Sequence, residues 1–346
     1  MAVEEIEVTL DVLSFGETII DFLPDRRAQL RDVDSFTRRV GGAPANVALA
    51  LACMGRRSGL MCKVGQDEFG HFLREQLQRQ GVNVDGVEFT SEAKTAITFI
   101  SLNEHGDRSF TSFGGLSAEM TIRPEEVESL SVAQAAILVV GSNLMMLPNP
   151  KQATMRALTL AGQYDRFVVM DPNIRNHLWS NQSQCNDTIR KTFKHVDLLK
   201  LNDEELEQLS EGLSAAAYYR DVLAPQGLVA LVVTHAEGGS EVFCGDVHAQ
   251  VRAPDVEVVD TTGAGDGFVS GMLAAICEMT SAQTRAQGSA LREVLRGWGD
   301  EHWRAALGVG CFVGSYVCKT LGATTNLPSS EDVPWGDLVG ELAQAE

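Results

Sequence analysis

The chain has 346 residues, 44% hydrophobic and 22% charged, with a formal net charge of −19. That is the composition of an ordinary globular protein, long enough for one large α/β domain or two small ones. The acidic balance argues against nucleic acid or an anionic membrane as the main partner, because either would be repelled.

The seven cysteines form no Cys-x-x-Cys pair, and several lie in apolar runs. This is the pattern of small buried hydrophobes in a reducing compartment. The first ten residues are acidic and alternating, unlike a signal or transit peptide. The longest apolar runs, 135–140 and 228–233, are strand-length and far short of a membrane span. The expected location is cytoplasmic.

Short apolar runs at 12–15, 58–62, 135–140, 167–170, 198–200 and 229–234 read as strands. Helical patterns occupy 45–54, 69–80, 150–163, 186–194, 203–209 and 215–223. This alternation predicts an α/β fold, a mostly parallel sheet with helices on both faces. No repeat, low-complexity tract or Pro-rich linker divides the chain, so residues 1–346 read as one domain. Two segments, about 15–40 and 94–113, break the rhythm. In the second, residues 95–102 alternate at strand period, Glu104-His105-Gly106-Asp107 offers a turn, and 108–113 returns as a hairpin. Extra strands inserted in this way commonly form a lid or an interface. The polar stretch 280–303 reads as a surface insertion between helices.

Several short motifs carry chemistry. Asp21 follows the first strand; its carboxylate can accept hydrogen bonds from two vicinal hydroxyls, although standing alone such a residue is more often a solvated turn. Gly41-Gly42-Ala43-Pro44-Ala45-Asn46 opens a helix: the glycines allow a tight turn, Pro44 fits the first helical turn, and Asn46 offers both a donor and an acceptor. Asn202-Asp203-Glu204-Glu205 has the spacing of a capping box. The same Asn202 and Glu205 also suit water-mediated contacts to Mg²⁺ near nucleotide phosphates. Thr234-His235-Ala236-Glu237-Gly238-Gly239 ends an apolar strand, either as a hairpin turn or as a ligand loop at the carboxyl edge of the sheet.

The most informative run is Val258-Val259-Asp260-Thr261-Thr262-Gly263-Ala264-Gly265-Asp266, followed by an apolar helix from Gly267 to Cys277. Residues 256–259 read as the end of a strand. Glycines at a helix start leave main-chain N–H groups open to an anion. Asp266 within such a pocket reads either as a helix cap or as a base that takes a proton from an attacking hydroxyl. There is no Gly-x-x-x-x-Gly-Lys-Ser/Thr loop, no Gly-x-Gly-x-x-Gly after the first strand and no Gly-x-Ser-x-Gly elbow. The seven histidines are scattered without metal-ligand spacing.

Taken in order, Gly16-Glu17 with Asp21, the Gly41–Asn46 block, Lys63-Val64-Gly65-Gln66-Asp67-Glu68-Phe69-Gly70 and Asp260–Asp266 resemble the ribokinase-like (PfkB) family of carbohydrate kinases. The resemblance implies a three-layer α/β sandwich with a small β lid made from the two irregular segments. It implies transfer of the ATP γ-phosphate to a sugar hydroxyl. Asp266 then matches the family's base, and Gly263, Ala264 and Gly265 its anion hole. Asp21, Gly41, Gly42 and Asn46 match its sugar contacts. Asn202 and Glu205 match its Mg²⁺ and phosphate motif, and Thr234 and Gly239 fit its nucleotide loop. A K⁺ site is implied at Asp260 and Thr262, the backbone near Val317, Thr320 and Gly322, and the side chain of Asn326. Many relatives pair through the lid, which implies a homodimer.

Within the family, Asp171-Pro172-Asn173-Ile174-Arg175-Asn176-His177-Leu178-Trp179 and the run 197–205 look most like fructokinases. Similar Asn-x-Arg-x-x-Leu-Trp runs also occur in 2-keto-3-deoxygluconate kinases. Arg175 suits either a substrate carboxylate or a loop contact. A nucleoside or riboside acceptor, and a catalytically silent sugar-binding protein, are the remaining readings. The chain departs from the pattern in three places. Ala236 stands where a glycine is usual in the nucleotide loop. Phe113-Gly114-Gly115-Leu116-Ser117-Ala118-Glu119 replaces an arginine-led lid run, and Gly267 replaces alanine after the base.

Overall fold

A computed structural model describes residues 6–26, 28–102, 108–113, 116–340 and 342. Among the described residues thirteen strands run in chain order: β1 Leu10–Phe15, β2 Ile19–Pro24, β3 Phe36–Gly41, β4 Ser58–Gly65, β5 Val87–Thr90, β6 Ile97–Leu102, β7 Arg108–Phe113, β8 Ala135–Val140, β9 Phe167–Met170, β10 Leu198–Asn202, β11 Ala230–Thr234, β12 Ser240–Cys244 and β13 Val247–Val251. Nine of them form one sheet in the order β13-β12-β11-β10-β9-β8-β1-β4-β5. From β11 to β5 the neighbours are parallel, and β12 and β13 close one edge as an antiparallel meander.

The continuous apolar runs are explained by burial on both faces. Ile137 and Val139 on β8, Phe167 and Val169 on β9, and Val232 on β11 pack toward helices Ala43–Cys53, Ala264–Met279 and Asp300–Val317. The alternate residues Leu138, Val140, Val168, Met170 and Val233 pack on the opposite face, with helices Pro148–Gln163 and Gln182–Arg190. The two periodicities, 2 along the strands and 3.6 along the helices, thus produce three layers. The strand order reverses about β1, which lies between β4 and β8. Open α/β sheets bind ligands at such a point, outside the carboxyl ends of the strands.

The irregular segments pair as a second, four-stranded sheet in the order β3-β2-β6-β7. Its alternation separates two faces. Phe22, Phe36 and Phe99 cluster on one, with Phe22 and Phe99 stacked at 4.7 Å and Phe22 edge-on to Phe69 of helix Glu68–Arg79. Asp21, opposite Thr98, and Ser112, whose hydroxyl meets that of Thr98 at 3.0 Å, occupy the other. The turn expected at 104–107 lies outside the described residues.

Three local expectations change. Residues 256–259 are not a strand: Val258 and Val259 are exposed, and the amides of Val259 and Asp260 donate to the Cys318 carbonyl instead of to a sheet neighbour. The stretch 280–303 is not a surface insertion. It forms helices Ala282–Arg285 and Gly288–Gly297 and begins Asp300–Val317, burying Leu291, Leu295, Trp298 and Trp303 in the core. Its few apolar residues fall on one helical face, which overall polarity conceals. Asp21 lies within β2, not in a turn after β1.

Candidate active site

Helix Ala264–Met279 starts behind Gly263, whose φ of +79° is left-handed and where a Cβ would overlap Ala323. No side chain caps this helix start. The Ala264 N–H donates to the Thr261 carbonyl at 3.2 Å, and the N–H groups of Gly265 and Asp266 that follow keep the positive end of the helix available to an anion. Gly263 takes the cap position, so the capping reading of Asp266 does not hold: Asp266 is the third residue of the helix. Its side chain is buried; Oδ2 accepts a 2.8 Å hydrogen bond from Asn46 Nδ2 and Oδ1 a 3.4 Å bond from Asn173 Nδ2. Burial pushes its pKa up to about 6; the Asn46 amide opposes this, the Asp171 charge adds to it, and Arg175 and Lys200 oppose it. A carboxylate in that range is ionised at neutral pH yet basic enough to accept a proton.

Asp21, Gly41, Gly42 and Asn46 converge beside it. Gly41 pairs with Ile19 across β2 and β3, and a Cβ there would overlap the Asp21 carboxylate. Gly42 has φ +97° and abuts the Glu17 carbonyl. Asn46 gives its amide to Asp266 while its buried Oδ1 has no partner among the described residues, leaving an acceptor for a donor such as a hydroxyl. Burial, then the charges of Asp266 and Asp260, push the Asp21 pKa up to about 7. Arg175 is exposed on its loop and acts on Asp266 and Glu17 through its charge.

On the other side of the helix start, Asn202 and Glu205 form the reciprocal capping box: Asn202 Oδ1 accepts from Glu205 N at 2.8 Å and Glu205 Oε2 from Asn202 N at 3.0 Å. Glu205 Oε1 accepts from Ile174 N at 2.8 Å, tying the 171–175 loop to β10. With both carboxylate oxygens engaged, the pair fits Mg²⁺ only through intervening water. Thr234 and Gly239 flank the next loop, where Thr234 Oγ1 donates to Leu201 O at 3.4 Å and Gly239 has φ +99°. Ala236 in this loop adopts φ +48°, the left-handed conformation that the usual glycine would take without strain.

Asp260 and Thr262 meet the 317–326 loop. Asp260 Oδ1 accepts from Thr262 N and Oγ1, at 2.9 and 2.8 Å, and Oδ2 from Gly322 N at 2.7 Å. Thr320 Oγ1 is buried without a partner, Val317 O and Gly322 O each accept one loop amide, and Asn326 is half-buried nearby in sequence. An oxygen-only donor set of carboxylate, hydroxyl and carbonyl suits a hard monovalent cation such as K⁺. Among the described residues no group of three or more His, Cys, Asp or Glu side chains gathers as a metal centre. Asn173, Asp171 and Lys200 are further members of the site, beyond those singled out by motif. Their signal is their place at or near the carboxyl ends of β9 and β10, and Asn173 also carries a left-handed φ of +48°.

A buried carboxylate beside an uncapped helix start, approached by sheet-end loops on both sides, defines a group-transfer site of the sugar-kinase type. The family model described as "pfkB family carbohydrate kinase" matches residues 9–330. The chain belongs to that family and is an ATP-dependent carbohydrate kinase. It is 34% identical to "Probable fructokinase-2" of Arabidopsis thaliana over 82% of this chain and 86% of that protein. It is 32% identical to "Fructokinase-2" of Solanum habrochaites, covering 93% and 94%. Among solved structures, a fructokinase with bound ATP from Xylella fastidiosa superposes with a TM-score of 0.83 at 31% identity, covering 96% of this chain and 99% of that one.

Proposed function

We propose that the acceptor is D-fructose and that its hydroxyl is phosphorylated by in-line transfer from ATP. The observation that carries the reading is Asp266, buried at the uncapped helix start with one oxygen held by Asn46. The carboxylate accepts the proton of the attacking hydroxyl. The amides of Gly263, Ala264 and Gly265 offset the negative charge that gathers on the transferred group. Asp21, Gly41, Gly42 and Asn46 orient the sugar, with Arg175 at the rim, and Thr234 and Gly239 shape the nucleotide loop. Asn202 and Glu205 would hold Mg²⁺ through water, and the ion would supply neutralisation of phosphate charge when bound with the nucleotide. K⁺ fits the Asp260–Thr262 and 317–326 loops described above.

The whole chain acts as one kinase domain in this reading, and the four-stranded sheet is its lid. Asp21, Thr98 and Ser112 of that sheet face the sugar side, and Phe22, Phe36 and Phe99 face away. The edge strand β7, with Phe110 exposed, supports pairing of two lids in a homodimer. A cytoplasmic location agrees with seven free cysteines. No helix among the described residues is long and apolar enough to cross a membrane.

The test is an acceptor panel with ATP, Mg²⁺ and K⁺ and coupled detection of ADP. D-fructose turning over with the highest kcat/KM supports the reading. A preference for 2-keto-3-deoxygluconate or a riboside reassigns the acceptor. Sugar binding without turnover on any acceptor makes the chain a silent binder and rejects the catalytic role.

A further inference from the structure

Strand β10 places a lysine where its neighbours are apolar. Leu198 faces the core shared with helix Ala264–Met279, Leu199 and Leu201 face the opposite core, and period-2 alternation turns Lys200 toward the helix. The Lys200 side chain is 3% exposed, and its ammonium donates to Asp171 Oδ2 at 3.0 Å. That is the one hydrogen bond the ammonium makes among the described residues, although it carries three donors. The other oxygen of Asp171, Oδ1, is buried and accepts none from the described residues. A Cβ at Gly265 would stand 3.2 Å from Lys200 Nζ and 4.0 Å from Asp171 Oδ2, so the ion pair lies against the first turn of the helix. Asp171, Glu205 and Asp266 all act on this single ammonium. A buried pair repays its desolvation only when its remaining hydrogen-bonding groups are satisfied. This pair leaves them unsatisfied at the place where an anion would gather, which is poor design for stability alone.

We propose that Lys200, held by Asp171 behind Gly265, is a positioning residue for phosphoryl transfer that adds a fixed positive charge to the main-chain cradle. The inference rests on the transfer reading above. In that step the bond from the γ-phosphorus to the ADP oxygen breaks, the bond to the acceptor oxygen forms, and the hydroxyl proton passes to Asp266. Lys200 keeps its three protons throughout and acts on the cradle by its field. The site gathers three carboxylates in a chain of net charge −19, and without such a charge they would repel the incoming phosphates.

The test compares wild type, Lys200→Met and the double variant Asp171→Asn/Lys200→Met in thermal unfolding, in turnover and in calorimetric binding of ADP alone and ADP with aluminium fluoride. Lys200→Met should unfold at a lower temperature, because Asp171 is left buried and alone. The double variant should recover that temperature. In both variants kcat and the affinity for ADP with aluminium fluoride should fall about 10²-fold, the loss typical of one cradle donor. Affinity for ADP alone should stay within twofold. If activity and aluminium fluoride affinity return together with stability in the double variant, the pair is structural and the proposal is overturned. Lys200→Met with wild-type affinity for the fluoride complex overturns it as well. Absence of turnover in the wild type would reject the kinase reading, while the fluoride measurement would still decide the role of Lys200.

Discussion

The amino and carboxyl ends of the strands in the nine-stranded sheet, here its amino and carboxyl edges, both hold carboxylates and treat them differently. At the amino edge, Asp197 accepts from Arg292 Nε at 2.6 Å and from Val168 N at 2.8 Å; Asp165 accepts from Arg292 and from Ser289 N and Oγ; Asp11 accepts from Arg57 and Arg285. Every oxygen of these three groups has a partner. At the carboxyl edge, Asp171 Oδ1, Glu119 Oε2 and the Asn46 amide oxygen are buried with none among the described residues, and Lys200 uses one donor of three there. At the amino edge burial pushes all three carboxyls up; hydrogen bonds and arginine charge outweigh it at Asp11 and Asp165 and hold both below the usual range, while at Asp197 burial wins over Arg292 and the Val168 amide and the carboxyl stays raised. Burial pushes Asp21, Asp266 and Glu119 up to about 7, 6 and 7, and nothing outweighs it. A carboxylate met by arginine charge holds a fold together, whereas one buried without a direct cationic partner is ready to exchange a proton or meet a ligand.

The contrast is broken most directly at its centre. Asp266→Asn should lower kcat about 10³-fold, within the range expected for loss of a general base. Its melting temperature should hold or rise, since a buried charge is removed. Wild-type turnover in a coupled assay would remove the base assignment. On the amino edge, Arg292→Met should cost about 3 kcal/mol of stability, because it strands Asp197 and Asp165, with kcat little changed in the surviving folded enzyme. Urea unfolding checks the first part, and a large drop in kcat per folded molecule would show that the two edges are coupled.

Asp11 and Asp165 should also respond to pH in the opposite sense to Asp21. A carboxyl with a depressed folded pKa stabilises the fold above its unfolded pKa and loses that effect as pH falls through the folded value, which is the case of Asp11 and Asp165. A raised pKa acts the other way: the contribution of Asp21 is full below its unfolded value near 4 and is lost as pH rises toward about 7. Asp21→Asn should therefore raise the melting temperature more at pH 8 than at pH 4, while weakening sugar binding. An equal shift at both values would contradict the buried, raised carboxyl. In the rate profile, kcat/KM should rise through about pH 6 as Asp266 ionises, and Asp171→Asn should move that limb lower by removing a like charge. The smallest effect belongs to the nucleotide loop. Ala236→Gly should stabilise the loop by about 1 kcal/mol by relieving its left-handed φ, measured as a small gain in melting temperature. A loss instead would show that the methyl group packs usefully.

Much of the fold and of the site is legible in the amino-acid order. The expected strands 135–140 and 167–170 match β8 and β9 residue for residue, because fully buried parallel strands read as uninterrupted apolar runs. The glycine-rich helix start and its Asp266 are legible because few residue types tolerate that backbone. Residues 256–259 mislead, since β-branched residues also suit extended chain that pairs with a loop. The buried face of 288–297 stays hidden, because Leu291 and Leu295 mark it among many polar residues.

Local composition and spacing determined the elements, the sheet type and the family of chemistry, since these depend on backbone propensity and on periodic burial over short stretches. Tertiary structure alone decided which polar groups face one another: Asn46 and Asp266 meet across 220 residues, and Lys200 reaches Asp171 from a neighbouring strand. Charge interactions and desolvation depend on distance in space. A carboxylate's protonation and a lysine's purpose are therefore set by neighbours that sequence order does not reveal.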